Sequence, residues 1–282
     1  MKKVALFVAA VLGLALVGET AAHVSGVADV PRYNHDNLIG YVPQPYQHRT
    51  MLWRYDYAFN DKSMGVLDNF HGDRRRDILL IGDSIVMGVN NYAQQQRLGP
   101  RLSEVTGATV WPVGAISWAM QNELEYLRRH PEVVSNVARV IIVSNSADFD
   151  KPSSWANPVS HPYEAPTSAV WFLAQKYLHL RHYSTTPENE VDKRNWEADL
   201  RGLRARFSGP IDVVLYPDAA EFKSKRPCAF EPASLAAIQG IRITCVADDP
   251  RWTAAAYQDE IHPAPAATTV LARIIADRVL RK

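Results

Sequence analysis

Two short segments at opposite ends of the chain hold the residue types of nucleophilic catalysis. Ile81-Gly82-Asp83-Ser84-Ile85 directly follows a short apolar run. A serine at a strand-to-helix turn can present its hydroxyl above a sheet edge, with glycine permitting the tight backbone and the following N–H groups free to bind an oxyanion. By itself the tripeptide is more often a turn in which serine caps a helix. The far segment, Asp259-Glu260-Ile261-His262-Pro263, stands just before the last apolar-periodic stretch. A carboxylate three residues before an imidazole can orient it within one short turn, and the imidazole can reach a serine that the fold brings near. Ser84, Asp259 and His262 in that order compose a candidate serine triad.

Positioning such residues requires a sheet with helices around it, and the remaining pattern supplies one. Short apolar runs, Ile78 to Ile81, Thr109 to Val113, Val140 to Val143, Ile211 to Tyr216 and Ile241 to Val246, alternate with longer amphipathic segments. Continuous apolar runs bounded by Gly, Asn, Asp or Pro suit strands covered on both faces, the pattern of a parallel sheet. Leu98, Leu102 and Val105, and Met120, Leu124 and Leu127, keep helical spacing. Ala267, Val270, Leu271, Ile274, Ile275 and Val279 share one helix face after Pro263 and Pro265. The expected architecture is a three-layer α/β sandwich. Residues 23–76 show no sustained periodicity and read as an irregular N-terminal extension packed on the domain at 77–282. Residues 151–208 read as an insertion after the third strand, with helices from Ser168 to His182 and from Glu188 to Phe207. Its place beside the strand ends suggests that it shapes the substrate site.

The Gly-Asp-Ser turn, Pro112-Val113-Gly114-Ala115, Ser144-Asn145 and Asp259-x-x-His262 together resemble the SGNH, or GDSL, hydrolase superfamily. The resemblance covers roughly 77–282 and implies a flavodoxin-like three-layer α/β/α sandwich with a mainly parallel five-stranded sheet. It also implies Ser84 as nucleophile and an oxyanion hole from the N–H groups of Ser84 and Gly114 with the Asn145 amide. The asparagine block departs from the usual Gly-x-Asn-Asp, since Val143-Ser144-Asn145-Ser146-Ala147-Asp148 stands there. Matching Asp148 to the family aspartate places Ala147 at the donor position. Asn145 is preferred, because its amide can donate and a methyl group cannot; its plainer reading is a turn residue bonded to its own backbone.

In the extension, Asp36-Asn37-Leu38-Ile39-Gly40-Tyr41 and Asn60-Asp61-Lys62-Ser63-Met64-Gly65 loosely resemble segments of exported SGNH proteins linked to exopolysaccharide acylation. The implied function is an exported serine esterase acting on O-acyl, chiefly O-acetyl, groups of a carbohydrate. The alternatives are a polysaccharide O-acetyltransferase using the same triad, with exopolysaccharide machinery as partner, and a carbohydrate-binding protein of the same fold without turnover. Trp118 and Trp155 could offer flat faces to a sugar ring, and His161 could line the same crevice; core packing and a loop are the plainer readings.

Composition narrows the remainder. The 282 residues carry 31 Lys plus Arg against 30 Asp plus Glu, 47% hydrophobic residues and two cysteines. That excludes a disulfide-stapled miniprotein, a disordered chain and a polytopic membrane protein. Lys2 and Lys3 before the apolar run Val4 to Val17, with Thr20-Ala21-Ala22 behind it, read as a cleaved signal peptide at 1–22, hence a periplasmic or secreted protein; a retained anchor is the alternative. The run is shorter than the roughly 20 apolar residues of a spanning helix. Cleavage after Ala22 removes Lys2, Lys3 and Glu19 and leaves 29 basic and 29 acidic residues. That balance gives no electrostatic footprint for nucleic acid. In an oxidising compartment Cys228 and Cys245 can close a disulfide, two separately buried thiols being the other reading. No His, Cys and carboxylate group has metal-ligand spacing, so neither metal nor cofactor is expected.

Overall fold

The computed structural model describes residues 1–89, 91–178 and 186–280. The chain opens with α1 (Lys2–Val24), then β1 (Tyr33–Asp36), β2 (Gly40–Pro43), β3 (Gln47–Met51) and β4 (Tyr55–Phe59). The α/β unit follows as β5 (Ile78–Gly82), α2 (Ser84–Met87), α3 (Leu98–Thr106), β6 (Val110–Gly114), α4 (Met120–Arg129), α5 (Pro131–Ser135) and β7 (Arg139–Ser144). It continues through α6 (Ala169–Tyr177), α7 (Trp196–Arg206), β8 (Ile211–Leu215), α8 (Ala219–Phe222), α9 (Ala233–Ala236), β9 (Ile241–Cys245) and α10 (Pro265–Ile275).

Strands β6-β5-β7-β8-β9 hydrogen-bond in that order, every pair parallel. Their alternation explains the three layers. Ile78 and Leu80 pack with Leu98 and Leu102 of α3 and Leu271 and Ile275 of α10, while Leu79 and Ile81 pack with Leu124 and Leu127 of α4 and Leu200 and Leu203 of α7. Leu79, Leu80 and Ile81 are 0% exposed, each such side chain contributing roughly 1.5–3 kcal/mol by burial. A charge at Leu80 would therefore unseat α3 and α10 together. From β5 the chain passes to β6 on one side and then to β7 on the other, so the strand order reverses at β5. In open α/β sheets the ligand crevice opens at such a point, beyond the strand carboxyl ends. Ser84 follows β5, Gly114 ends β6 and Asn145 follows β7.

The extension differs from its expected irregular form. It contains two antiparallel hairpins, β1 with β2 and β3 with β4. The second turns through Leu52 and Trp53 at φ 52° and 54°, where Asn-Gly would have been the readable signal. Gly40 in the first turn has φ +87°, and a Cβ there would stand 2.3 Å from the Ser153 carbonyl, so no other residue fits between extension and insertion. Within the insertion, Ser168 caps α6, its Oγ accepting from Trp171 N at 3.0 Å, and α6 ends at Tyr177. The last part of that expected helix, 179–182, lies outside the described residues. The second expected helix, from Glu188, starts instead at Trp196, where Asn195 caps it by accepting from Ala198 N. Cys228 and Cys245 are joined by a disulfide.

Candidate active site

The turn from β5 into α2 fixes Ser84. Asp83 caps α2, its Oδ1 accepting from Ile85 N at 2.8 Å, which holds Ser84 at the first helical position. Glycine is required on both sides. A Cβ at Gly82 would meet Val143 O at 2.9 Å, and one at Gly114 would meet Gly82 O at 2.6 Å and Asp83 O at 3.0 Å. Gly114 thus lets β6 close on the serine turn.

His262 comes to Ser84 from the loop before α10. Tyr216, just past β8, donates its hydroxyl to Ile261 O at 2.8 Å, and the Tyr92 hydroxyl bonds Pro263 O. Gln258 N donates to His262 O at 2.9 Å, and Ala219 N to Glu260 O at 2.8 Å. In that frame Ser84 Oγ lies 2.9 Å from His262 Nε2, and His262 Nδ1 lies 3.0 and 3.1 Å from the two oxygens of Asp259. Burial raises the Asp259 carboxyl, but N–H groups of His262 and Ile261 and the His262 ring outweigh it and hold it below the usual range. An ionised Asp259 can only accept, so Nδ1 carries the hydrogen and Nε2 is left to accept from the Ser84 hydroxyl.

Asn145 is buried and fully engaged. Its Oδ1 accepts from Ala147 N at 2.8 Å, while Nδ2 donates to Asp83 Oδ2 at 3.0 Å and Asp148 Oδ1 at 3.3 Å. Its backbone N–H donates to Asp148 Oδ2 at 2.8 Å. The turn contact is the plainer sequence reading, and here it coexists with a side chain directed at the serine turn. Asp83 is a neighbour of Ser84 Oγ at 3.5 Å. Burial pushes its carboxyl up to about 6 against the opposing pull of Ile85 N–H and of His262. Burial and the charge of Asp83 likewise raise Asp148 and Glu123, and neither oxygen of Glu123 has a hydrogen-bond partner among the described residues. Sequence reasoning missed this carboxyl group, because Glu123 lies on α4 and only the sheet brings it near Asp83.

The three residues expected to meet sugar each have a packing partner in the fold. Trp118 is corrected to a core residue: it is 1% exposed and its indole N–H donates to Tyr41 O at 2.8 Å, since a buried Trp needs one acceptor for its single donor. His161 stacks on Tyr41 with ring centroids 3.7 Å apart. Burial, with the charge of Lys176, holds its ring down to about 4 and therefore neutral. Trp155 is half-buried and donates to His161 O at 3.1 Å. These rings seam the extension to the insertion. Asn122 completes the seam, bonding Ile39 O, Ser153 O and Ser153 N at 2.8–2.9 Å. The insertion also bonds α4, through Gln121 to Asp192 O and Arg194 N.

Cleft size does not point to Ser84. A cleft of about 430 Å³ includes Ile78 and Arg139, the first residues of β5 and β7, and so sits at the opposite sheet edge; one of about 660 Å³ includes Leu67, Gln95 and Thr109. Neither holds a hydrogen-bonded Ser, His and Asp set like that of Ser84, His262 and Asp259. Among the described residues no group of three His, Cys, Asp or Glu could hold a metal ion.

No protein-family model matches the chain, and no curated sequence does. Its structural neighbours are G-D-S-L lipolytic proteins and carbohydrate esterases. A lipolytic protein of the G-D-S-L family from Veillonella parvula is 11% identical, with 73% of this chain and 99% of that one covered at a TM-score of 0.43. One from Desulfitobacterium hafniense is 13% identical, with 72% and 99% covered at 0.44. A family two carbohydrate esterase from Clostridium thermocellum, in complex with cellohexaose, is 11% identical, with 76% and 66% covered at 0.44. At such identities and scores these neighbours assign no role to any residue here.

Proposed function

We propose that the chain is an exported serine esterase that hydrolyses O-acyl, chiefly O-acetyl, groups of a carbohydrate. The observation that carries the reading is Ser84 Oγ at 2.9 Å from His262 Nε2, with Asp259 closing on Nδ1 at 3.0 Å. His262 Nε2 takes the hydroxyl proton as Oγ bonds the ester carbonyl carbon, and Asp259 stabilises the imidazolium that forms. The tetrahedral oxyanion is met by the N–H groups of Ser84 and Gly114 and by the Asn145 amide, which must then release a carboxylate. Collapse expels the sugar oxygen, which takes the proton from Nε2 and leaves an acyl-Ser84. Water, deprotonated by His262, then adds to the acyl carbon, and collapse breaks the bond to Oγ, which takes the proton back from Nε2 as the acid leaves.

The carbohydrate part rests on the resemblance of the extension's segments. Those residues have structural work: Asp36 Oδ1 accepts from Leu38 N and Ile39 N, and Asn60 Oδ1 accepts from Lys62 N and Met64 N. They do not separate hydrolysis from transfer to a sugar hydroxyl, and hydrolysis is the simpler fate of the acyl-enzyme.

The test is a fluorophosphonate probe with an aryl acetate and acetylated oligosaccharides as substrates. Wild type should take one adduct at Ser84 and release acetate from both substrate types. Ser84→Ala should lose adduct and turnover together, by on the order of 10⁶ in rate. Labelling retained in Ser84→Ala overturns the nucleophile. Acetate released from the aryl ester but from no glycan overturns the substrate class, and glycan affinity without an adduct identifies a binding protein.

A further inference from the structure

The 23-residue helix α1 has no buried residue, yet its last turns are fastened to the folded domain. Glu19 receives three hydrogen bonds from the start of α6: Ser168 Oγ at 2.8 Å, Ala169 N at 2.5 Å and Val170 N at 3.3 Å. His23, one turn on, lies 2.9 Å from the same carboxylate. The first N–H groups of a helix have no intrahelical partner, and a carboxylate there also meets the positive end of the helix dipole. A residue 150 positions away in sequence thus caps a helix of the insertion. A leader removed after Ala22 would leave those donors of α6 without it.

The surface around this fastening is apolar and aromatic. Val170 and Trp171, in the first turn of α6, are exposed, Trp171 at 52%. On the other side, Leu52 N donates to Gly26 O at 3.2 Å, and Trp53 at the hairpin tip is 73% exposed with its ring edge 3.6 Å from where a Gly26 Cβ would stand. Beside Trp53 a cleft of about 510 Å³ is lined by His23, Asp29, Arg32, His48 and Arg49, with Arg49 paired to Asp29 at 3.3 Å and Arg32 left towards solvent. Tryptophans beside cationic side chains at the end of an apolar helix suit the headgroup layer of a bilayer, where the ring sits amphipathically and the cations meet phosphate.

We propose that α1 is retained as a membrane anchor and that the face formed by Leu52, Trp53, Val170 and Trp171 rests on the outer surface of the bilayer. Lys2 and Lys3 stay on the cytoplasmic side by the positive-inside preference. The short apolar run Val4 to Val17 is accommodated by their long stems reaching back to the interface. Fastened at Glu19, the domain cannot swing freely, and the Ser84 site is held at one fixed height above the lipid. This placement stands whether or not the esterase reading does.

The test begins with the full chain made in a Gram-negative host. N-terminal peptide mapping should find the Met1 end intact, and the protein should stay with membranes through alkaline carbonate. A chain beginning at His23 in the soluble periplasm overturns the proposal. The full chain is then placed in nanodiscs of phosphatidylethanolamine and phosphatidylglycerol carrying brominated acyl chains. Quenching of tryptophan fluorescence should fall by half or more in the double variant Trp53→Phe, Trp171→Phe, whose side chains are exposed and whose loss leaves the fold intact. Quenching equal in variant and wild type shows that the face is turned from the lipid and overturns the placement. Two copies per disc that separate in the double variant assign the face to a second copy of the chain, which overturns it as well. In the same discs Glu19→Ala should speed hydrogen exchange at Ala169 and Val170 at least tenfold; unchanged exchange removes the fastening.

Discussion

Replacing Asn145 by alanine should separate the two tasks that its side chain faces. The amide donates to two buried carboxyls, Asp83 at 3.0 Å and Asp148 at 3.3 Å, and its oxygen accepts from Ala147 N at 2.8 Å. Ala147 is exposed, so water can replace the last bond. The carboxyls cannot be rescued that way, because Asp83 is 4% and Asp148 3% exposed. Leaving a buried polar group without its partner costs about 1–3 kcal/mol; Asp148 keeps the Asn145 backbone N–H and Asp83 keeps Ile85 N–H. The expected loss is therefore about 2–4 kcal/mol of unfolding free energy. Independently, removal of one oxyanion donor lowers kcat by about 10² to 10³. Urea unfolding and aryl acetate turnover measured on the same preparation read both. A stability loss under about 1 kcal/mol refutes the clamp. An unchanged kcat refutes the oxyanion assignment and leaves Asn145 a structural residue.

Three further outcomes follow from neighbouring contacts. Asp83 moves from 3.8 to about 6 on folding, so its ionisation opposes the folded state: stability is full below about pH 4 and declines by on the order of 3 kcal/mol as pH rises through 6. Asp83→Asn should abolish that decline, so the variant's unfolding free energy relative to wild type should rise by about that amount between pH 4 and 7; parallel pH curves would contradict the burial of charge at Asp83. Gly114→Ala places a Cβ 2.6 Å from Gly82 O and 3.0 Å from Asp83 O, and a displacement of the serine turn of order 1 Å should cost about 10² in kcat. Normal turnover in a folded variant would show that β6 can yield there. Joint replacement of Cys228 and Cys245 by alanine opens a loop of 17 residues and should lower stability by about 3 kcal/mol with kcat unchanged, as urea midpoints and turnover would show.

What the sequence made legible follows from how locally each feature is determined. The strands of the sheet declare themselves through runs apolar on both faces; Ser84 stands just past β5, and Asp259 and His262 stand in the loop before α10. Both hairpins of the extension escaped, for Gln47-His48-Arg49-Thr50 has no apolar alternation and Leu52-Trp53 is not a glycine turn. Trp118, Trp155 and His161 were read as possible ligand contacts because a lone aromatic carries no mark of what it packs on. The ring partners of His161, Tyr33 at 5.1 Å and Tyr41 at 3.7 Å between centroids, lie more than a hundred residues away from it, in a segment without periodicity. Asn145 is the intermediate case. Its position past β7 was readable, whereas its engagement by Asp83 and Asp148 depends on β5 and β7 being adjacent.

That engagement bears on how the site manages charge. In the proposed acylation His262 would become a cation while an oxygen of the substrate became an anion, both within reach of Ser84. The ionised Asp259 serves the cation from the far side of the imidazole. Asp83, 3.5 Å from Ser84 Oγ, serves the cation too when ionised, but opposes the oxyanion. Burial raises Asp83, Asp148 and Glu123 alike, and the charge of Asp83 adds to the rise at Asp148 and Glu123. Ile85 N–H and one hydrogen of the Asn145 amide meet that charge. With its second hydrogen on Asp148, the amide has none left for a substrate oxygen. It can become an oxyanion donor only by turning from one carboxyl, and the contact to Asp148 at 3.3 Å is the longer and weaker of the two. On the proposed mechanism the oxyanion donor would therefore be drawn from the Asp148 side, while Asp83 would keep its hydrogen bond beside Ser84.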